Sequence, residues 1–243
     1  MLANSLNSFA QIGTLSSEVH LKLSSMDELL NFIADELPNW RNLYKVNNNL
    51  SEPDLTSDLC AHLNSAAYHT KGWDFLQFIS ERPDEKQKGR KIDLAVLPCV
   101  PYGTTTVWIL GRRCTSFEML LPIECKRLPT PVGKNRDERE YVIHRKKTTG
   151  GIQRFKAGHH GSKNSLAAMI AYIQKETAAI WHGRLATWIG ELNANGHPGW
   201  SLNDLLHHEP DSGRAGLAIY SSTHTREKGL PDIKLRHLWI EML

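Results

Sequence analysis

Glu124 and Lys126 stand two residues apart in an apolar run, Leu-Leu-Pro-Ile-Glu-Cys-Lys-Arg-Leu over residues 120–128, and Asp93 stands in another, Ile-Asp-Leu-Ala-Val-Leu over residues 92–97. A strand has a side-chain period of two, so Glu124 and Lys126 share one face while Ile123 and Cys125 fill the other. Acids on rigid apolar strands are hard oxygen ligands suited to Mg²⁺, with Mn²⁺ as a substitute. Phosphodiester hydrolysis needs such an ion to neutralise the phosphate and to generate hydroxide near neutral pH. A lysine beside it can orient the attacking water or stabilise the crowded phosphate. The backbone carbonyl of Cys125 is a further expected ligand and Glu52 an outer one.

The acid-x-Lys pattern occurs three times, at Asp84-Glu85-Lys86, Glu124-Cys125-Lys126 and Asp232-Ile233-Lys234. The first sits in a hydrophilic run with no strand to hold it, and the strand expected before the third bears no acid. Only the second follows a strand carrying another acid, Asp93. Behind it, residues 126–163 hold eleven Lys/Arg against three Asp/Glu, so the net charge of +3 is concentrated where a polyanion would lie beside the acids. Gln153, Arg154 and Lys156 are the expected nucleic-acid contacts there.

Several elements must position these groups. Met26, Leu29, Leu30, Ile33 and Leu37 predict a helix ended by Pro38. Ser51-Glu52-Pro53-Asp54 reads as a capping box opening a helix to about Ala67, in which Glu52 projects onto the side of Leu55, Leu59, Leu63 and Ala66. Residues 73–79 and 90–97 are expected antiparallel strands, residues 98–116 an insertion with a small hairpin, and residues 118–127 the strand of Glu124. Gly150 and Gly151 start a short helix whose N-terminus offers backbone N–H groups to an anion. Residues 166–173 fit a buried strand or the first turns of a helix, which periodicity does not separate, and strand is preferred; 177–192 are read as a helix, and 217–221 and 233–242 as strands. Val19, Leu21 and Leu23 alternate as a short strand would.

This order of helix with acid, strand, strand with Asp93 and strand with Glu124-x-Lys126, then helix and further strands, resembles the PD-(D/E)XK nuclease superfamily. The likeness spans roughly residues 50–195, although no proline precedes Asp93 and Ala157 stands where some exonuclease-like branches have tyrosine. It implies a restriction endonuclease-like α/β fold, a central mixed β-sheet flanked by helices. It also implies DNA hydrolysis in restriction, defence or repair, with Asp93, Glu124 and Lys126 catalytic. The chain reads as a single domain, with a helical extension over 1–45, a nuclease core over 50–195 and C-terminal strands over 196–243. With no nucleotide-binding loop and no zinc finger in the sequence, target choice is expected from homodimerisation, a partner ATPase or recognition subunit, or the loops. The alternative is a non-catalytic module that keeps the fold and binds nucleic acid or a partner.

Cys60, Cys99, Cys114 and Cys125 have neither zinc-ligand nor disulfide spacing, which fits a reducing cytoplasm. No membrane span or signal peptide is expected. His159-His160 and His207-His208 are read as loop residues, and Trp181, Trp188, Trp200 and Trp239 as core.

Overall fold

The computed structural model describes residues 26–43, 50–83, 90–100, 106–109, 111–134, 136–145, 147–210, 213–227 and 229–242. The strand expected at 19–23 and the triplet at 84–86 lie outside them, as does part of the 98–116 insertion. Helix α1 (Met26–Leu43) buries Leu29, Leu30, Ile33 and Leu37, the expected stripe. It does not stop at Pro38. The helix runs on for five residues because Trp40 is fully buried there, with its ring 5.6 Å from that of Tyr172, and that burial offsets the hydrogen bond proline cannot donate. Helix α2 (Glu52–His69) opens on the expected capping box, with Ser51 Oγ accepting from the Asp54 amide and Asp54 Oδ2 accepting from the Ser51 amide.

Strands β1 (Leu76–Pro83) and β2 (Lys91–Pro98) form the expected antiparallel pair, and a separate hairpin of β3 (Thr106–Ile109) and β4 (Arg112–Thr115) follows. Then come β5 (Leu121–Leu128), helix α3 (Gly151–Lys156), β6 (Leu166–Ile173) and helix α4 (Ala178–Ala194). A two-residue strand β7 (His207–His208), read from sequence as loop, precedes β8 (Leu217–His224) and β9 (Ile233–Glu241). Among the described residues the main sheet is mixed and seven-stranded, in the order β1-β2-β5-β6-β9-β8-β7. Its centre, β5-β6-β9, is parallel. A parallel centre is covered on both faces, and Leu166–Ile173 is accordingly an almost unbroken apolar run. One core lies under α1, α2 and the hairpin; the other lies under α3, α4 and residues 141–143.

The anion site expected at the start of α3 is not there. The amides of Gly151, Ile152 and Gln153 donate to the carbonyls of Glu140, Tyr141 and Val142 at 2.8, 3.1 and 3.0 Å, so the preceding segment caps the helix. The two glycines permit that approach. A Cβ at Gly150 would lie 2.4 Å from Ile143 Cα, and one at Gly151 would lie 2.8 Å from the Tyr141 carbonyl oxygen. Gly150→Ala is therefore expected to destabilise the chain by about 1–3 kcal/mol, as overpacking against rigid backbone does. Gly183→Ala, in a turn of α4 where a Cβ meets nothing within 4 Å, is expected to stabilise it by roughly 0.5–1 kcal/mol. Urea denaturation of the two variants beside the parent checks both signs.

Candidate active site

The site is made by two strands that part. Antiparallel pairing between β2 and β5 covers Val96↔Leu121, Ala95↔Pro122 and Leu94↔Ile123 only. Beyond Leu94, β2 stays with β1 as far as Lys91, and β5 stays with β6 as far as Leu128. A wedge opens between them. In a strand the N–H and C=O of one residue point to the same side, so Cys125 and Arg127 turn their backbone groups into the wedge. Two carboxylates take the places of the missing strand: Asp93 Oδ2 accepts from the Cys125 amide at 2.8 Å, and Glu52 Oε2 accepts from the Arg127 amide at 3.0 Å. Glu52 reaches that amide because the capping box fixes it in the first turn of α2 beside the strand end.

Lys126 Nζ stands at the centre. It is 2.7 Å from the Cys125 carbonyl oxygen, 2.9 Å from Glu124 Oε1, 3.1 Å from Glu52 Oε1 and 3.5 Å from Asp93 Oδ2. The Asp93 and Glu124 oxygens are therefore at most 6.4 Å apart, 2.9 plus 3.5 Å, against the roughly 4.2 Å that one Mg²⁺ spans at about 2.1 Å to each oxygen, so a shared ion would draw them inward from the far end of that range. Glu124 is fully buried and its Oε1 also pairs with Arg154 at 2.6 Å. Its Oε2 lies 3.1 Å from His160 Nδ1 but out of line for a hydrogen bond, and it accepts none.

These contacts set the charges. Burial raises the Asp93 carboxyl, and the neighbouring carboxylates of Glu124 and Glu52 raise it further against the pull of Lys126, to about 6. Burial acts upward on Glu124 as well, but Lys126, His160 and Arg154 outweigh it and hold that carboxyl far below the ordinary range. For Lys126, burial acts downward and is overcome by Asp93, Glu124 and Glu52, which keep it an ammonium.

A cleft of about 340 Å³ opens on these groups, lined by Glu52, Asp93, Lys126 and Arg154 together with His144, Lys147 and the ion pair of Arg136 with Glu140. A second hollow of about 370 Å³ meets Glu52 and Asp93 from the far side and is acidic, with Asp54 and Glu81. The two carboxylates thus divide a basic hollow from an acidic one. Another hollow, between the hairpin and residues 159–164, carries no comparable chemistry: its Arg112 is paired with Glu118, and the Asn164 amide donates to the Met119 and Leu120 carbonyls.

Of the residues expected at the site, Glu52, Asp93, Glu124, the Cys125 carbonyl and Lys126 come together. Arg154 joins them, although its partner is Glu124. Gln153 and Lys156 do not face the cleft as phosphate contacts. Gln153 Oε1 accepts from the His144 and Gly150 amides, and Lys156 is buried against Asp204 and over the Trp200 ring. His160 was hidden by its loop position. The left-handed glycines on either side, Gly158 and Gly161, turn that loop so that the ring is buried beside Glu124, a geometry that adjacent histidines in a sequence do not reveal. No family model, curated protein or solved structure matches the chain.

A second chemical arrangement sits in the core. Ser222 Oγ is 2.6 Å from His224 Nε2, and His224 Nδ1 is 2.6 Å from Asp204 Oδ1, the order of nucleophile, base and orienting acid. It is structural. Ser222 is buried and also bonds His237 Nε2 at 2.8 Å, while His237 Nδ1 bonds the Tyr141 hydroxyl at 2.8 Å, so no substrate carbonyl reaches it. Burial pushes His224 and His237 below their ordinary 6.5. A chain unfolded below pH 6.5 binds protons that these folded rings refuse, so their contribution to stability is whole above that pH and declines beneath it. Asp93, raised to about 6, acts in the opposite direction over the same window. In an Asp93→Asn background the urea midpoint is therefore expected to fall between about pH 7.5 and 5.5, and His237→Phe is expected to flatten that fall.

Proposed function

We propose that the chain is a metal-dependent nuclease of the PD-(D/E)XK kind that hydrolyses DNA phosphodiester bonds, on a restriction endonuclease-like core. The observation that carries this reading is the convergence, from α2, β2 and β5, of three carboxylates and a backbone carbonyl on one point beside a basic cleft.

The donors suit Mg²⁺ or Mn²⁺ in kind, being all hard oxygens, and the four of them around Lys126 Nζ outnumber its three N–H groups. Among the described residues, no group of three or more His, Cys, Asp or Glu side chains is placed to hold a metal ion, so an ion here would rest on two carboxylates and a backbone carbonyl. Asp93, Glu124 and the Cys125 carbonyl would hold the ion, with Glu52 in an outer position. Bound there, it would supply phosphate neutralisation and a more acidic water. Counting Glu52, Asp93 and Glu124 against Lys126 and Arg154, the cluster is one negative charge in excess, which favours a cation and opposes a bare phosphate. Lys147 offers the phosphate a landing on the cleft wall, beside Arg136, which is paired with Glu140 at 3.0 Å. Lys126 orients the water or the phosphate, and Arg154 holds Glu124 in place.

Restriction, defence or repair is the role proposed, with target choice supplied by homodimerisation or by a partner ATPase or recognition subunit. Free Cys60, Cys99, Cys114 and Cys125 suit the cytoplasm, and no helix among the described residues is long and apolar enough to cross a membrane. A second reading, a non-catalytic module binding nucleic acid or a partner through the basic wall, is favoured by the saturation of Glu124 Oε1 with two cations.

Incubation with double-stranded DNA, single-stranded DNA and RNA, with Mg²⁺, Mn²⁺ or EDTA, separates these readings. DNA cleavage that needs the metal is expected. Asp93→Ala, Glu124→Ala and Lys126→Ala are each expected to lower its rate by about a hundredfold or more while DNA binding persists. Cleavage that survives all three substitutions overturns the nuclease reading, and DNA binding without cleavage in either metal favours the non-catalytic one.

A further inference from the structure

Four oxygens surround Lys126 Nζ at 2.7, 2.9, 3.1 and 3.5 Å, and the side chain is only 8% exposed. An ammonium has three N–H groups to give, so it cannot satisfy four acceptors at once. Its place is set by charge: three carboxylates of one sign, crowded at a strand fork, require a cation between them, and this chain carries one on the same strand. The oxygens that hold it are those that would hold a divalent ion. They stand farther out than the roughly 2.1 Å of a Mg²⁺–oxygen bond, so the cage is sized for nitrogen.

We propose that Lys126 is an internal counter-ion that occupies the metal position of the metal-free chain and must leave it when a divalent cation binds. The inference rests on the nuclease reading above and adds a competition to it. An ammonium and a divalent ion cannot share one set of oxygens a few ångströms across, because their mutual repulsion in a buried site is large. The exit is the basic cleft, since Lys126 is one of the residues that line it. Arg154 stays on Glu124 Oε1 meanwhile, so the fully buried carboxylate keeps a counter-charge as the lysine withdraws. Loading the metal and presenting Lys126 to the phosphate side are then a single event. An internal cation at this point would let the chain fold without metal, at the cost of metal affinity.

The test uses Mg²⁺ alone, without nucleic acid, on the full chain. Lys126→Met removes the competitor and keeps the bulk. Calorimetric titration is expected to show Mg²⁺ binding tighter than in the wild type by on the order of tenfold or more. The metal-free variant is expected to melt lower, because three carboxylates lose their shared cation, and to gain more from saturating Mg²⁺ than the wild type does. In the wild type, the lysine Nζ resonance assigned to Lys126 by ¹⁵N-selective spectroscopy is expected to shift on Mg²⁺ addition. This measurement decides the matter if Lys126→Met fails to fold. Equal Mg²⁺ affinities with an unmoved Nζ resonance overturn the competition and leave the metal site standing. Absence of Mg²⁺ binding in both proteins overturns the metal site, and the competition with it.

Discussion

The parting of β2 from β5 after Leu94 is the constraint on which the rest depends. A sheet that stayed paired would leave no backbone amide for a carboxylate to accept from, because each would already have its ladder partner. Here the ladder stops at Leu94↔Ile123, and the amides of Cys125 and Arg127 need acceptors. Carboxylates are the acceptors supplied, from Asp93 and Glu52. Placing two carboxylates beside the buried Glu124 then demands cations, and Lys126 and Arg154 answer that demand. The polar cluster follows from a local failure of β pairing.

Much of that cluster was legible in the sequence. An acid-x-Lys triplet on an apolar run, a second acid on the preceding run, and the angular position of Glu52 on its helix each came from a fixed period, and fixed periods survive folding. Strand and helix order was legible for the same reason, except at residues 166–173, an unbroken apolar run with no period to separate strand from helix, where the preferred strand is the one that forms. Other features were not. Whether Pro38 ends α1 depended on the burial of Trp40 against Tyr172, a contact between residues 132 positions apart in sequence. The partners of Gln153, Lys156 and His160 were set by what α3 and its flanking loop meet across the fold, and charge or spacing says nothing of that. The basic stretch from Lys126 to Lys163 divided accordingly: Arg136 and Lys147 face the cleft, whereas Lys156 is spent inside the core.

The second core depends on a hydrogen-bonded chain of its own. Trp239, Tyr141, His237, Ser222, His224 and Asp204 are linked in succession, and Lys156 ends the series. Every link is buried, so each donor and acceptor must be matched or its desolvation is uncompensated. The series ties α3, which carries Arg154, and Tyr141, which lies between Arg136 and His144 of the cleft lining, to β8 and β9. Residues near Glu124 are thereby held by strands that contribute no group to the site.

The position of β9 in the sheet has a consequence for the order in which the protein can be built. All the clustered side chains, from Glu52 to His160, precede it in the chain, yet β9 lies between β6 and β8, directly beside the strand that supports β5. As a ribosome delivers the chain, β6 emerges with one long apolar edge bare and waits about sixty residues for its neighbour. Until β9 docks, the strand bearing Glu124 and Lys126 rests on an unfinished sheet. A growing or prematurely terminated chain therefore holds the full set of clustered side chains without the rigid floor that aligns them, and exposes an unpaired strand edge.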